Sequence, residues 1–376
     1  MFGVYIHFPY CRKRCPYCDF AVHARQRIPH ERYADAVTAE LDARAPLFEG
    51  RRAVSVYFGG GTPGLWRTDC LARVLAAVQA RFGSDAQEVT VEANPDDLPS
   101  EQLIALRAAG VTRLSLGVQS LSPKHLSTLG RLHGPDEARR SVREARQAGF
   151  ASLSLDLMFG LPSQTLAELE RDLDGMLALE PDHLSVYNLT IEERTAFGAM
   201  SRAGTLKVPD NGLCADMYAR VIERLRAAGF QQYEISSHAR PGKRAVHNTL
   251  YWTGGEYLGL GCSAHSFRRL PGTSGAAERF AVVKSVDDYL KSPEIVHREH
   301  LDAAALEREA VWLGLRFLDG IERAAHLRRH GIDPVAAHAV EVERLQREGL
   351  VEVTEARLRL TARGVFFADE VGARFL

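Results

Sequence analysis

Short apolar runs alternate with amphipathic stretches through the first half of the chain. Residues 3–8, 54–60, 88–94, 113–119, 152–159 and 183–189 are rich in Val, Leu and aromatic residues and read as strands. Between them, residues 31–45, 68–81, 100–109, 136–148 and 166–179 place apolar side chains at helical spacing, and Gly110 and Gly149 stand where helix C-caps belong. Six strands alternating with helices predict a parallel α/β sheet. No strand runs into a G-x-G-x-x-G phosphate loop. The pattern alone does not separate an open doubly wound sheet from an incomplete barrel.

Beyond residue 300 the order changes. Helical patterns over 307–318, 321–329 and 334–348 precede VEVTEARLRLT, which reads as strand, turn and strand, and a final helix. That order predicts an α+β, winged-helix-like domain. The expected organisation is a core over 1–210, a linking extension over 211–300 and a C-terminal domain over 301–376. Arg328, Arg329 and His330 read as a solvated helix end.

Composition narrows the function classes. The 376 residues are 45% hydrophobic and 25% charged, ordinary values for a globular protein. A net charge of −1 argues against a general nucleic-acid binder, a winged helix notwithstanding. No apolar run approaches the roughly 18 residues of a membrane span, and no signal peptide precedes the first strand. A peripheral membrane contact stays open. Of six cysteines, three are clustered and Cys70, Cys214 and Cys262 are scattered, which is not a disulfide framework. The expected location is a reducing, cytoplasmic compartment.

The clustered cysteines lie in YIHFPYCRKRCPYCDF, residues 5–20, directly after the first strand. Cys11, Cys15 and Cys18 are spaced C-x3-C-x2-C, and thiolates hold soft metals and iron–sulfur clusters. Three of them on a [4Fe–4S] cluster leave one iron without a protein ligand. Pro9 and Pro16 let the loop turn, and Arg12, Lys13 and Arg14 interleave positive charge with the thiolates. A Cys3His zinc site with His7 or His23, and a redox pair of Cys15 with Cys18, are alternatives on spacing. Neither accounts for Gly59-Gly60-Gly61-Thr62-Pro63 after the second strand, whose missing Cβ atoms leave room for backbone to approach a ligand. Further polar groups close the later strands: Glu92 in VEANP, Gln119 in LGVQS and Asp156 within the apolar run SLSLDLMF. A carboxylate there is costly without a cation or donors. Arg131 in GRLHG offers a guanidinium fork suited to a carboxylate.

C-x3-C-x2-C with Tyr17 resembles the radical S-adenosylmethionine (SAM) superfamily. The phrase YIHFPYC resembles one branch of it, the oxygen-independent coproporphyrinogen III oxidases and their HemW-type haem chaperone paralogues. The resemblance runs over about residues 3–200. It implies a partial (βα)6 TIM-like barrel with its site at the C-terminal ends of the strands. Cys11, Cys15 and Cys18 would hold a [4Fe–4S] cluster whose open iron binds SAM. One electron, from a donor such as a flavodoxin or ferredoxin, would cleave SAM to methionine and a 5′-deoxyadenosyl radical. Gly59, Gly60, Gly61 and Thr62 match the motif that binds the SAM amino group. Glu92, Gln119 and Asp156 match SAM contacts, Arg131 an arginine paired with a carboxylate, and Tyr5 a tyrosine near the methionine end.

Residues 187–195, YNLTIEERT, resemble the chaperone side of the branch. His247-Asn248-Thr249-Leu250-Tyr251 matches the H-N-x-x-Y string associated there with haem, making His247 and Tyr251 haem candidates; the same residues also describe a pair that caps and packs. Gly259 to His265 forms a second Gly-rich stretch, expected as a tight turn near the barrel mouth with Cys262 and His265 within reach of a ligand. Two functions compete: oxidative decarboxylation of coproporphyrinogen III propionates to vinyls in porphyrin biosynthesis, and binding haem for delivery to an acceptor protein. Phe20 stands where the oxidases carry a fourth cysteine. Only four residues precede Tyr5, so the oxidases' N-terminal extension is missing from this sequence. With H-N-x-x-Y, these features favour the chaperone over a genuine coproporphyrinogen oxidase, and leave open whether SAM is cleaved productively.

Overall fold

The computed structural model describes residues 1–270 and 275–376. Six strands follow the expected runs: β1 Phe2–Phe8, β2 Ser55–Gly60, β3 Glu88–Ala93, β4 Arg113–Gln119, β5 Ser152–Phe159 and β6 His183–Asn188. They lie side by side in chain order and pair in parallel. The connections contain α1 His30–Arg44, α2 Thr68–Phe82, α3 Ser100–Ala108, α4 Pro135–Gln147 and α5 Leu166–Leu177. Thr165 starts α5 with a capping box, its side chain accepting from the Glu168 N–H while the Glu168 carboxylate accepts from Thr165.

Side chains alternate across the strands, and the two faces differ in chemistry. Val4, Ile6, Phe8, Val56, Phe58, Val91, Leu116, Leu155 and Leu184 belong to one buried cluster with the helices. The opposite face is concave and polar. Tyr57 reaches Glu92, Ser115 reaches Asp156, and Ser154 reaches His183, each across neighbouring or nearby strands. A polar face inside a parallel sheet is unusual, because such sheets bury both faces; here it supplies the walls of a site.

The sheet is wider than the expected six strands. A seventh parallel strand, β7 Glu256–Leu260, pairs with β1 on the side away from β2, setting Gly259 opposite Tyr5. Antiparallel strands His265–Arg269, Ala277–Val282 and Ile295–Leu301 continue beyond it. Past β6 lie Ser237–Ala239 and Gln231–Gln232. The result is a twelve-stranded open sheet rather than a closed barrel. Residues 211–300 thus contribute six strands, together with helices α6 Asn211–Ala227 and α7 Val246–Trp252.

The second Gly-rich stretch splits between strand and turn: residues 261–264 form the expected tight turn, in which the Ala264 N–H donates to the Gly261 carbonyl at 3.1 Å. Gly259 sits inside β7, where a Cβ would run into the His265 carbonyl. Cys262 is fully buried against α1, its Sγ 3.9 Å from the Tyr33 hydroxyl and its N–H donating to that oxygen at 3.2 Å. His265 is exposed on the next strand. Neither faces the site described below.

The C-terminal region has its own core, built from Val311, Leu315, Val342, Leu345, Leu358, Val371 and Phe375. Its order is α8 Ala303–Arg316, strand Ile321–Glu322, helices Arg323–His330, Pro334–Ala337 and Ala339–Arg347, then the hairpin Val351–Val353 and Arg357–Leu360. That is the expected winged-helix order. It docks on α6 through Tyr218 and Ile222. Among the described residues no helix is long and apolar enough to cross a membrane.

Candidate functional site

A cavity of about 580 Å³ opens where β1–β6 end. Its wall includes Cys11, Cys15 and Cys18 from the loop after β1, Gly60–Thr62 after β2, Glu92 and Asn94 at β3, Gln119 at β4 and Asp156 on β5. Strand carboxyl ends are where parallel α/β folds collect ligand-binding groups.

The cysteine loop is anchored by a two-stranded ribbon, Tyr10–Cys11 with His23–Ala24, and by a turn in which the Cys18 N–H donates to the Cys15 carbonyl at 3.2 Å. All three thiols are half-buried. The Thr62 hydroxyl lies 3.4 Å from Cys11 Sγ, and an Arg131 nitrogen 3.8 Å from Cys15 Sγ. Arg12 does not neutralise the thiols as expected. It reaches away to Asp97 at 3.1 Å and Asp96 at 3.4 Å, because Asp97 is buried and needs a cation. Arg131 is the cation that touches the thiol set. Burial pushes the Cys11 thiol up to about 11 and raises Cys18 as well. These two thiols are therefore protonated at neutral pH until a metal displaces the protons.

Among the described residues no three His, Cys, Asp or Glu side chains gather around a point that a single metal ion would occupy. His7 is committed elsewhere: its Nδ1 lies 3.0 Å from the Tyr5 hydroxyl and its Nε2 3.0 Å from the Ala21 carbonyl. A Cys3His zinc site with His7 is not formed. Three thiols spread along one cavity wall, beside a cation, suit a larger polynuclear group.

The glycine run is also closely packed from behind. A Cβ on Gly59 would meet the rings of Tyr57 and Tyr5, one on Gly60 the His7 ring at 2.5 Å, and one on Gly61 the backbone of residues 8–10 at 2.7–2.9 Å. Close packing between the ends of β1 and β2 leaves no room for a Cβ at any of the three. Gly60 also has φ +109°, and its N–H donates to Glu92 at 3.1 Å. Gly60, Gly61 and Thr62 line the cavity; Gly59 and Tyr5 are not on its wall.

Glu92 and Asp156 face the cavity from the polar side of the sheet. Glu92 accepts from the Tyr57 hydroxyl at 2.6 Å and Asp156 from Ser115 at 3.3 Å. Burial raises Glu92 to about 7, with nearby Asp156 adding to the rise, and burial raises Asp156 to about 6. A cation placed here would draw both to the charged form. The raised Glu92 makes a stability prediction. The folded chain holds this proton to higher pH than the unfolded chain, so its contribution to stability falls as pH rises from about 4.5 to about 7. Glu92→Gln is expected to reduce that loss, seen as a smaller shift in urea midpoint between about pH 5 and about pH 8. Equal shifts in variant and parent would contradict the buried-carboxyl assignment.

Gln119 closes β4 at a register irregularity with φ +68°, a strained backbone for a residue with a side chain. Arg131 donates to the Gly117 carbonyl at 2.6 Å and to the Asn94 side chain. Tyr17 packs toward Phe197, with ring centroids 6.3 Å apart, beside Leu129 and Met158. Asn94 escaped notice in the sequence although it follows Glu92 by two residues, the strand repeat that puts both on one face. Phe20, Leu132 and Tyr187, all on the cavity wall, are 70%, 56% and 41% exposed and give it an apolar rim. No sequence pattern marks that rim, because it is assembled from two separate loops and the end of β6.

Comparison with known proteins bears directly on this cavity. The Radical SAM superfamily model matches residues 5–175, and the HemN C-terminal domain model matches residues 301–367. The "Heme chaperone HemW" of Bacillus subtilis is 34% identical over 380 residues, covering 100% of this chain and 99% of that protein. Its Escherichia coli counterpart is 43% identical over 266 residues, 70% of this chain and 69% of that protein. The chain belongs to the HemW-type branch of the radical SAM superfamily. A mouse relative, radical S-adenosyl methionine domain-containing protein 1, is 36% identical across 98% of this chain and 86% of its own. Among solved structures, the radical SAM enzyme HemN, the coproporphyrinogen III oxidase of Escherichia coli, superposes with TM-score 0.84 at 25% identity, covering 100% of this chain and 89% of that one. Membership in the superfamily implies a [4Fe–4S] cluster and SAM.

The haem candidates His247 and Tyr251 lie elsewhere. They sit on α7, and neither lines the cavity. Glu88, at the start of β3, accepts from the Val246 and His247 N–H groups at 3.1 Å each and so fastens the start of α7. His247 Nδ1 is 2.9 Å from the Ser55 hydroxyl, its Nε2 is 2.9 Å from the Tyr251 hydroxyl, and its ring stacks on Tyr57 at 5.0 Å. It is 1% exposed, and burial pushes its pKa down to about 3. Both nitrogens are hydrogen-bonded, and the ring is part of the packing at the N-terminal ends of the strands. His247→Ala is expected to lower stability by roughly 2–3 kcal/mol through the cavity and the orphaned Ser55 and Tyr251 hydroxyls. Denaturant midpoints check this, and an unchanged midpoint would contradict it.

Proposed function

We propose that this chain binds a [4Fe–4S] cluster on Cys11, Cys15 and Cys18, SAM beside it, and haem, which it delivers to an acceptor protein. The observation that carries the cluster and SAM assignment is that three thiols and the charged strand-end residues line one cavity. Arg131 balances charge at Cys15 and offers its fork toward the cavity. Glu92 and Asp156 provide carboxyls for a cationic centre, and Gly60, Gly61, Thr62 and Gln119 shape the floor. When bound, the cluster and SAM supply one-electron chemistry, fed by a donor such as a flavodoxin or ferredoxin. The chain's own residues orient the ligand, hold the thiols and set the protonation of Glu92.

Likeness over nearly the full length to proteins named haem chaperones supports the cargo reading. Phe20, rather than a cysteine, on the cavity rim supports it as well. Tyr187, Leu132 and Phe20 suit a flat apolar ligand or the surface of a partner. The test is anaerobic reconstitution with iron and sulfide, then titration with haem and mixing with a haem-free haemoprotein. The expected result is about four irons per chain, saturable haem binding, and transfer of haem to the acceptor faster than from free haem in solution. A loaded chain that takes up haem without saturation, or never releases it to any acceptor, would refute the delivery role.

A further inference from the structure

Asn94 stands just past the end of β3 with three polar neighbours, and their chemistry fixes which way its amide points. Its Oδ1 accepts from an Arg131 guanidinium nitrogen. Its Nδ2 donates to Asp97 at 2.7 Å and to the Thr62 hydroxyl at 3.3 Å. A guanidinium only donates and a carboxylate only accepts. The flipped amide would therefore set N–H against N–H on one side and oxygen against oxygen on the other.

That orientation decides where two further donors point. The Thr62 hydroxyl accepts from Asn94, which leaves its own proton for Cys11 Sγ at 3.4 Å. Arg131 is held in a similar way. One of its terminal nitrogens donates to Asn94 and to the Gly117 carbonyl, and the other reaches Cys15 Sγ at 3.8 Å. The opposite end of the chain of contacts is secured as well: Asp97 is buried and meets Arg12 at 3.1 Å. One amide that bonds to neither sulfur thus aims a hydroxyl at Cys11 and a guanidinium at Cys15.

We propose that Asn94 is a positioning residue for the cluster: by orienting Thr62 and Arg131 onto the Cys11 and Cys15 sulfurs, it raises the reduction potential of the group those thiols hold. The inference rests on the cluster reading above. Hydrogen bonds and positive charge at cluster sulfurs favour the reduced form, which carries one more electron. Without the amide, the Thr62 proton is free to turn to another acceptor, and Arg131 loses one of the two oxygens that hold it. The potential then falls although all three thiolates remain.

The test is a redox titration of the cluster-loaded full chain without SAM, followed by electron paramagnetic resonance, with iron and sulfide measured on each sample. Asn94→Leu keeps the volume and removes the amide. It is expected to lower the reduced-to-oxidised ratio at a fixed potential roughly tenfold, a shift of about 59 mV for one electron, with iron content near the parent's. Thr62→Val removes only the hydroxyl and should shift the potential the same way. In the Thr62→Val background Asn94→Leu should have a smaller effect than in the parent, because part of its action runs through that hydroxyl. If Asn94→Leu does not retain iron, Asn94→Asp takes its place in the cycle. Its added charge acts alike in both backgrounds, whereas its capture of the Thr62 proton from Cys11 acts only where the hydroxyl is present. A fully loaded Asn94→Leu at the parent's potential, or shifts that simply add in either cycle, would overturn the positioning role while the cluster stands. If the parent itself takes up no cluster, both readings fall.

Discussion

Cys15→Ala is expected to leave the reconstituted chain without a stable cluster. Only Cys11, Cys15 and Cys18 among its cysteines line the cavity. With one iron already lacking a protein thiolate, removing a further ligand leaves two, too few to hold the group against loss to solvent. The replacement also strips Arg131 of the sulfur it contacts at 3.8 Å, leaving a buried cation beside an empty space. Iron and sulfide content and the visible absorption of the cluster report the result. Cys214→Ala is the matched control: that thiol contacts the Pro209 carbonyl at 3.9 Å, away from the cavity, and its loss should leave the iron content unchanged. Full iron content in Cys15→Ala would contradict the ligand assignment.

Gly60→Ala is expected to be the most damaging single methyl group that can be added near the site. The added Cβ would stand 2.5 Å from two atoms of the His7 ring, which is held by Tyr5 on one side and Ala21 on the other. The backbone at φ +109° adds its own strain for any residue with a Cβ. Overpacking and strain together come to on the order of 3 kcal/mol. Because the Gly60 N–H donates to Glu92 and the strand end carries Thr62 to Cys11, the shift should also weaken cluster retention. A denaturant midpoint within error of the parent would show that the β1–β2 contact gives way easily and that the glycine serves the ligand instead.

Much of this architecture is readable from the chain, for identifiable reasons. The six strands β1–β6 show because one face of each packs apolar residues against helices, as Val4, Ile6 and Phe8 do. The cysteine spacing and the charged strand ends show because a carboxylate such as Asp156 stands out in an apolar run. What stays hidden depends on contacts between distant segments. β7 carries Gly259, which reads as part of a turn, yet it lies inside the strand and a Cβ there would run into the His265 carbonyl of the next strand. His247 and Tyr251 read as a pair from the sequence, but the contacts that hold His247, from Ser55, Glu88 and Tyr57, come from distant segments. His238 shows the reverse case, an unmarked residue that folding leaves buried and unpaired. Arg12 likewise sits among the cysteines in sequence while Asp97, 85 positions later, takes its charge.

The central claim is that a radical SAM cavity here serves haem handling rather than porphyrinogen oxidation. The most direct measurement is an anaerobic incubation of the cluster-loaded chain with SAM, reductant and coproporphyrinogen III, with tetrapyrrole products followed by mass. The account predicts that coproporphyrinogen III is recovered with its propionates intact, while the same preparation binds haem saturably. Protoporphyrinogen IX formed over many turnovers would contradict it.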